Sequence, residues 1–224
     1  MKDTLPECAK CGLKAADKAC LVPGNKGPVS CPTEHMKDDI DTSRKLYADP
    51  EVYEFARQAS IQEAVCYINR DAKPHVRHPV KPRVQEICEF AQRMGYKRLG
   101  LAYCAGLQRE AALLNRILSD SFQVISVICK VGCIPKEEIG IEEDQKVRIG
   151  EFESMCSPIT QAHILNEAET DFNIIMGLCV GHDSLFFKNA LAPTTVFAVK
   201  DRVLAHNPLG SIYTLHTYYQ RFRN

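Results

Sequence analysis

The chain has 224 residues, of which 45% are hydrophobic and 25% are charged, an ordinary balance for a soluble globular protein. Its length accommodates one substantial domain and a small appendage. The 28 basic side chains equal the 28 acidic ones and Trp is absent, so the composition gives no support for binding to nucleic acid or to an anionic membrane.

The amino terminus has no apolar stretch of the kind found in a signal peptide, and no apolar run approaches the length that spans a bilayer. We therefore expect a cytoplasmic protein without a membrane partner, in a compartment where disulfides are rare. The eleven cysteines then need another explanation. We expect them to be buried as small apolar side chains or to take part in metal or redox chemistry.

Residues 1–36 differ from the rest of the chain, because they hold four cysteines and several Gly and Pro but no periodic apolar pattern. Such a segment cannot fold on a core of its own. The spacing Cys-x2-Cys-x8-Cys-x10-Cys supplies four thiolates for zinc or an iron–sulfur cluster, from Cys8, Cys11, Cys20 and Cys31. The alternative is a redox-inert or disulfide-linked cap. We predict a cysteine-rich metal-binding segment over 1–36 and a helical lead-in plus an α/β domain over 37–224.

The next region is predicted to be helical. Apolar residues recur at three- and four-residue steps between residues 36 and 69, with Asp49 as an N-cap and Pro50 at the first helical position. A loop rich in Pro, His and Lys follows over 71–82. A second amphipathic helix is predicted over 83–94, and it stops at Gly95.

Strands and helices then alternate to the end of the domain. The apolar β-type runs are residues 96–103, 122–128, 172–178 and 194–199. Helical patterns follow three of these strands or lie between them, over residues 107–118, 159–167 and 183–190. This alternation predicts an α/β fold, with a parallel Rossmann-like sheet flanked by helices.

Cysteines mark the ends of the predicted strands. Cys104, Cys129 and Cys179 each follow a strand, and Cys156 precedes a predicted helix. Because the carboxyl ends of parallel strands share one edge of a sheet, these thiols are predicted to form a second metal site, most simply an iron–sulfur centre, with Cys133 as the spare ligand. The alternative is that they are small apolar residues at strand ends.

Three further side chains are expected near that edge. His182 follows the third strand-end cysteine closely and could be a ligand or could donate to a cluster. Lys200 and Arg202 follow the last strand, where a basic group would offset thiolate charge or hold an anionic ligand. A solvated surface is the alternative for both basic residues.

Several of these stretches together resemble a family of cysteine-rich prokaryotic proteins defined only as a domain of unknown function. The resemblance lies in the amino-terminal Cys-x-x-Cys and in residues 102–107, 155–158, 177–183 and 199–202, of which Cys-Val-Gly-His-Asp is the most specific. It covers nearly the whole chain. It implies metal binding and a bacterial or archaeal origin, but it supplies no reaction.

The leading hypothesis is a metal-binding protein with two cysteine sites that serves electron transfer, sensing or metal handling. Its cofactor would be an iron–sulfur cluster or zinc, and its partners would be metal ions, a redox partner protein or a small molecule. One alternative is an enzyme that uses the strand-end cysteines for redox or thiol chemistry on a small molecule. The other is a non-catalytic interaction domain with a structural zinc knot.

Overall fold

A computed structural model describes residues 5–223 of the chain. Its strands are β1 (Tyr67–Ile68), β2 (His78–Pro79), β3 (Arg98–Tyr103), β4 (Gln123–Ile128), β5 (Phe172–Met176) and β6 (Thr194–Ala198). Its α-helices are α1 (Pro32–His35), α2 (Lys37–Arg44), α3 (Pro50–Val65), α4 (Arg83–Arg93), α5 (Gln108–Ser119), α6 (Pro158–Glu167), α7 (His182–Asn189) and α8 (Leu209–Tyr213). The chain forms two compact units, of which the first ends at Ile61 and the second begins at Gln62.

The first unit is built of helical elements, and its described residues, 5–61, form no fully buried core. Two 3-10 turns, Cys8–Lys10 and Ala15–Asp17, precede α1 and α2. No residue between 5 and 61 is buried. The predicted N-cap of α3 is present, because Asp49 Oδ1 accepts hydrogen bonds from the amides of Glu51 and Val52 at 2.9 and 3.1 Å. Local capping therefore defines the start of α3, and apolar side chains between residues 5 and 61 are at most partly buried.

The second unit is built on a four-stranded sheet in the order β4-β3-β5-β6. All three pairings are parallel, with Leu99 opposite both Val124 and Phe172. All five residues of β5 are buried, as expected for a central strand of a sheet that is covered on both faces. The predicted parallel α/β fold is therefore confirmed.

Helices cover both faces of this sheet. One face packs against α6 and α7 in a single apolar cluster, whose buried members include Ala102, Val127, Leu165, Ile175 and Phe186. Leu99 and Leu101 point to the opposite face, because successive side chains of a strand alternate. The apolar residues Ala111, Leu114 and Leu118 of α5 are buried as well.

Several boundaries differ from the sequence-based predictions. The helical region over 36–69 begins its second helix at Pro50 as predicted, but that helix ends at Val65, and Tyr67–Ile68 form β1. The predicted loop over 71–82 contains β2, which pairs antiparallel with β1. The predicted strand 172–178 ends at Met176, because Gly177 adopts a φ of +67° that extended backbone excludes.

None of the helices described for residues 5–223 is both long and apolar enough to cross a bilayer.

Candidate functional sites at two cysteine clusters

The four amino-terminal cysteines line one cavity. Cys8, Cys11, Cys20 and Cys31 surround a space of about 100 Å³ together with Leu13, Pro28 and neighbouring residues. Cys8 and Cys20 are exposed, and the other two are partly buried. Folding has therefore gathered around one space four thiols that span 24 residues of sequence.

Local backbone geometry brings these thiols to the cavity. The Cys-x-x-Cys pair closes a 3-10 turn, in which the Cys11 amide donates to Cys8 O at 3.2 Å. The Cys31 amide donates to Pro28 O at 2.8 Å in a second tight turn. Gly27 lies against this turn, and a Cβ atom there would overlap both Cβ and Sγ of Cys31. Glycine at this position therefore makes room for the Cys31 thiol.

The second cluster lies at the carboxyl edge of the sheet. Cys129 follows β4 and Cys104 follows β3, its neighbour in the sheet. Cys156 comes from the segment that leads into α6. Both Cys104 and Cys156 pack against the apolar cluster that contains Cys129. Parallel pairing of the strands thus brings together thiols that are far apart in sequence.

Cys129 is the central thiol of this cluster. Its Sγ lies 3.8 Å from Cys156 Sγ and shares a second hydrogen bond with the thiol of Cys104. The backbone amide of Ala105 donates to the same sulfur at 3.3 Å. Cys129 is only 2% exposed, whereas its two sulfur neighbours are partly exposed. The site is therefore a row of three thiols with the least accessible one in the middle.

These contacts separate the thiol pKa values. Hydrogen bonds to Cys104 and Cys156, together with burial, raise the pKa of Cys129. The hydrogen bond from Cys129, assisted by the Gly106 amide and by Lys200, lowers the pKa of Cys104 to about 4. The pKa of Cys156 falls to about 5, chiefly through Cys129 and further through the charges of Lys130 and His182. The lowered pKa values favour the thiolate form of the two outer sulfurs, and the raised pKa favours the protonated form of Cys129.

Cationic groups accompany the thiols at this edge. Lys200 donates to the Cys104 thiol. A Cβ atom at Gly106 would lie 3.7 Å from Lys200 Nζ and 3.9 Å from Cys104 Sγ, so this glycine borders both groups. Arg202 Nη2 donates to Cys179 Sγ at 3.1 Å. Lys200 and Arg202, the two basic residues identified from the sequence, therefore each contact a cysteine side chain.

Cys179 lies farther along the chain from the end of its strand than predicted. It lies beyond the turn at Gly177 rather than directly at the end of β5. Its carbonyl oxygen accepts hydrogen bonds from the amides of His182 and Asp183 at 3.0 and 3.1 Å, at the start of α7. Cys133, predicted as the spare ligand, is exposed and has a positive φ of 51°. Neither residue contributes to the row of three thiols.

Gln161 is a residue of this edge that the sequence analysis missed. Its buried Nε2 donates to Val127 O at 2.7 Å and to Tyr103 O at 3.2 Å, close to the ends of β4 and β3. The available signal was a polar residue beside Ala162 on the inward face of a predicted helix. Gln161 therefore joins the two strand ends from which Cys104 and Cys129 emerge.

Three polar atoms close to the cluster have no hydrogen-bond partner among residues 5–223: Ser157 Oγ, Gln161 Oε1 and His182 Nδ1. Unpaired buried polar atoms are costly and scarce in folded proteins, and each calls for an explanation such as water or a functional role. Their position beside the thiols adds to the case that this edge is a functional site.

Neither cluster is a preassembled metal site. In the part of the chain that the structure describes, no group of three or more His, Cys, Asp or Glu side chains has the geometry to hold a metal ion. The Cys129–Cys156 separation of 3.8 Å does equal the spacing of two thiolates on a tetrahedral zinc, for which the Zn–S distance is about 2.3 Å. A metal centre shared by Cys104, Cys129, Cys156 and Cys179 stays a prediction.

The family described as "Protein of unknown function (DUF1847)" matches residues 31–197, which include Cys31 and the whole strand-end cluster. The "Uncharacterized protein MJ0455" of Methanocaldococcus jannaschii is 55% identical over 134 residues, which are 60% of this chain and 68% of that protein. Both matches agree with the resemblance to an uncharacterised prokaryotic family, and the chain belongs to the DUF1847 family.

Proposed function

We propose that this chain is a metal-binding protein whose first unit is organised by one metal centre. Its ligands are Cys8, Cys11, Cys20 and Cys31, and the centre is zinc or an iron–sulfur cluster. The observation that supports it most strongly is that these four thiols line a single cavity in a unit with no buried residue between 5 and 61.

Conformational entropy opposes the folding of this unit. Ordering a residue costs about 1–2 kcal/mol of conformational entropy, which burial of apolar surface normally offsets. No residue between 5 and 61 is fully buried, so burial of apolar surface offsets this cost only in part. A metal ion that joins four points of the chain stabilises small segments of this kind, and its binding free energy then becomes folding free energy.

The residues present suit such a centre. All four donors are cysteine thiols, which zinc and iron–sulfur clusters both accept. None of the four is fully buried, so each side chain can rotate toward the cavity. Gly27 leaves space beside Cys31 for that movement. When bound, the centre would cross-link the unit, and an iron–sulfur cluster would add a redox function to this structural one.

The test is metal analysis of protein purified without oxygen. We expect one centre per chain in the intact protein and its loss in Cys11→Ser and Cys20→Ser. Cys88→Ser, on α4 and outside both clusters, is the matched control and should keep its metal. An absorption spectrum then separates zinc, which is colourless, from an iron–sulfur cluster.

Limited proteolysis supplies a second, independent measurement. Removal of the metal by a strong chelator should expose the first unit to cleavage while the unit that begins at Gln62 resists. The proposal is wrong if Cys11→Ser retains full metal, or if the digestion pattern does not change in protein shown to have lost its metal.

A further inference from the structure

The row of three thiols takes no part in the proposed metal binding by the first unit. Its best-defined contact is between Cys129 and Cys156, whose Sγ atoms lie 3.8 Å apart. A disulfide requires about 2.05 Å, a distance that side-chain rotation can close when the backbone holds the two residues side by side.

The backbone does hold them side by side. The amide of Ser157, next to Cys156, donates to the carbonyl oxygen of Cys129 at 2.7 Å. On the other side of Cys156, the amide of Met155 donates to Ile134 O at 2.8 Å. The segment that carries Cys156 is therefore fastened to the chain after β4 at two points. The fold therefore keeps the backbone of Cys129 and that of Cys156 next to each other, whichever rotamers the two thiols adopt.

The two thiols also differ in access. Cys129 is 2% exposed, whereas Cys156 is partly exposed. Thiol–disulfide exchange in proteins proceeds through a mixed disulfide, so it needs one thiol that an external reagent can reach and a second thiol close behind it. The pair meets both requirements.

We propose that Cys129 and Cys156 form a dithiol–disulfide couple that exchanges with a low-molecular-weight disulfide, with Cys156 as the attacking thiol and Cys129 as the resolving thiol. A small reagent fits because the attacking sulfur is half-buried at the edge of the sheet. The proposal uses none of the cysteines assigned to the centre in the first unit.

The surrounding groups support these two roles. Lys130, whose ammonium group donates to Ser154 O, lies close to the Cys156 thiol, where its positive charge can offset the negative charge of the attacking sulfur. The amide of Ala105 donates to Cys129 Sγ at 3.3 Å and can stabilise the anion that this sulfur becomes before the resolving step. Each of the two sulfurs, Cys156 Sγ and Cys129 Sγ, therefore has a neighbouring group that can stabilise it while it is a thiolate.

Atoms and electrons balance in this exchange. The Cys156 thiolate attacks one sulfur of a disulfide RSSR, which forms a Cys156–S–S–R bond and releases RS⁻. Cys129 then loses its proton to solvent and attacks Cys156 Sγ, which forms the Cys129–Cys156 bond and releases the second RS⁻. Two protein thiols are oxidised, one external disulfide is reduced to two thiols, and the reverse reaction uses the same steps.

The experiment equilibrates the reduced full-length protein, under nitrogen, with mixtures of reduced glutathione and glutathione disulfide. Free thiols are then trapped by alkylation at acid pH, and the disulfide is located by mass spectrometry of peptides. We expect a Cys129–Cys156 link that forms reversibly with the glutathione ratio. In Cys129→Ser the second step is blocked, so a mixed disulfide with glutathione should accumulate on Cys156.

Two further variants serve as controls. Cys88→Ser should leave the link unchanged, and Cys156→Ser should abolish both the link and the mixed disulfide on residue 156. Circular dichroism shows whether each variant is folded. If Cys129→Ser does not fold, the presence or absence of the Cys129–Cys156 disulfide peptide in the intact protein still tests the proposal.

Three results would overturn the proposal. The first is the absence of a Cys129–Cys156 link at every glutathione ratio, and the second is a Cys104–Cys129 link in its place. The third is a loss of metal from Cys156→Ser that matches the loss from Cys11→Ser, which would make these thiols ligands of a metal.

Discussion

The side-chain amide of Gln161 donates a hydrogen bond to the carbonyl oxygen of Val127 at 2.7 Å, entirely within the protein interior. The same nitrogen reaches Tyr103 O at 3.2 Å, so one residue of α6 joins the ends of β4 and β3. Cys104 follows Tyr103 directly, and Cys129 lies two residues beyond Val127. The positions of Cys104 and Cys129 in the row of thiols therefore depend on Gln161, an uncharged residue that is not itself a cysteine.

Replacement of Gln161 should destabilise the second unit. Gln161→Leu removes both hydrogen bonds at a buried site, which typically costs about 1–3 kcal/mol. Gln161→Glu should cost more at pH 7, because an ionised carboxylate has no proton to donate and is costly to bury. Urea unfolding measures both variants.

A pH comparison distinguishes this explanation from a simple packing defect. Once protonated, the carboxyl group introduced by Gln161→Glu can again donate to Val127 O, so this variant should recover stability relative to Gln161→Leu between pH 7 and pH 5. Glu167→Gln, at an exposed position of the same helix, is the control and should change stability little. Identical pH dependence for the two Gln161 variants would contradict the hydrogen-bond explanation.

A methyl group at Gly100 should also destabilise the sheet. Its Cβ would overlap Asn173 Oδ1 and lie 2.8 Å from Leu165 Cδ1, and both neighbours are fully buried. We expect Gly100→Ala to lower the free energy of unfolding by about 1–3 kcal/mol, as overpacking of a core does.

Gly210→Ala is the matched control for that experiment. Its Cβ would make only ordinary contacts with Leu204, at 3.5 Å or more, and Gly210 lies in α8, where Ala is the better helix former. Stability should be unchanged or slightly higher. Equal losses in the two variants, measured by thermal unfolding, would show that the close approach at Gly100 is not what matters.

The ion pair between Lys81 and Glu89 should make stability depend on pH in the acid range. Lys81 Nζ lies 2.6 Å from Glu89 Oε2, and this hydrogen bond, with another from Gln62, lowers the pKa of Glu89 to about 2. A lowered carboxylate pKa contributes stability above the unfolded value of about 4.3, and that contribution is lost as the pH falls toward 2.

We therefore expect Lys81→Met to be less stable than the intact protein at pH 7 by about 1 kcal/mol, a figure discounted for the partial exposure of both side chains. The difference should disappear near pH 2. Glu169→Gln removes the exposed pair with Arg98 and should have a smaller effect at every pH. A deficit in Lys81→Met that is constant from pH 7 to pH 2 would exclude this account.

The reactivity of Cys104 should persist into acid solution. Its pKa of about 4 follows first from the hydrogen bond with Cys129 and then from the Gly106 amide and Lys200. Because the thiolate is the reactive form, alkylation of Cys104 should reach its plateau below pH 7, whereas an ordinary thiol with a pKa of about 8.5 would still be accelerating.

Variants separate the two causes. Cys129→Ala should move the alkylation profile of Cys104 to higher pH by more than Lys200→Met does, since the contact with Cys129 is the larger cause. Peptide mass spectrometry after timed treatment with iodoacetamide gives the rate at each pH. A profile centred near pH 8.5 in the intact protein would show that these contacts do not stabilise the Cys104 thiolate.

Much of the fold was predictable because each element carries its own local signal. The apolar β-type runs and the helical periodicities between them predicted the parallel sheet, and Asp49 followed by Pro50 predicted the start of α3. The predicted end of β5 was wrong by two residues, because Gly177 adopts a positive φ and approaches Leu107 so closely that a Cβ atom would overlap it, which the local pattern does not reveal. The β1–β2 hairpin was missed because strands of two residues have no recognisable period.

The sequence by itself determined that the chain would form a parallel sheet and that cysteines would lie close to the carboxyl ends of three of its strands, since strand pattern and residue order are local properties. Only the tertiary structure decided which thiols meet. It brings Cys129 within 3.8 Å of Cys156, seats Arg202 against Cys179, and places Gln161 across two strand ends. Distances of a few ångströms between residues distant in sequence depend on how the segment before α6 folds back onto the sheet, and no spacing along the chain encodes that path.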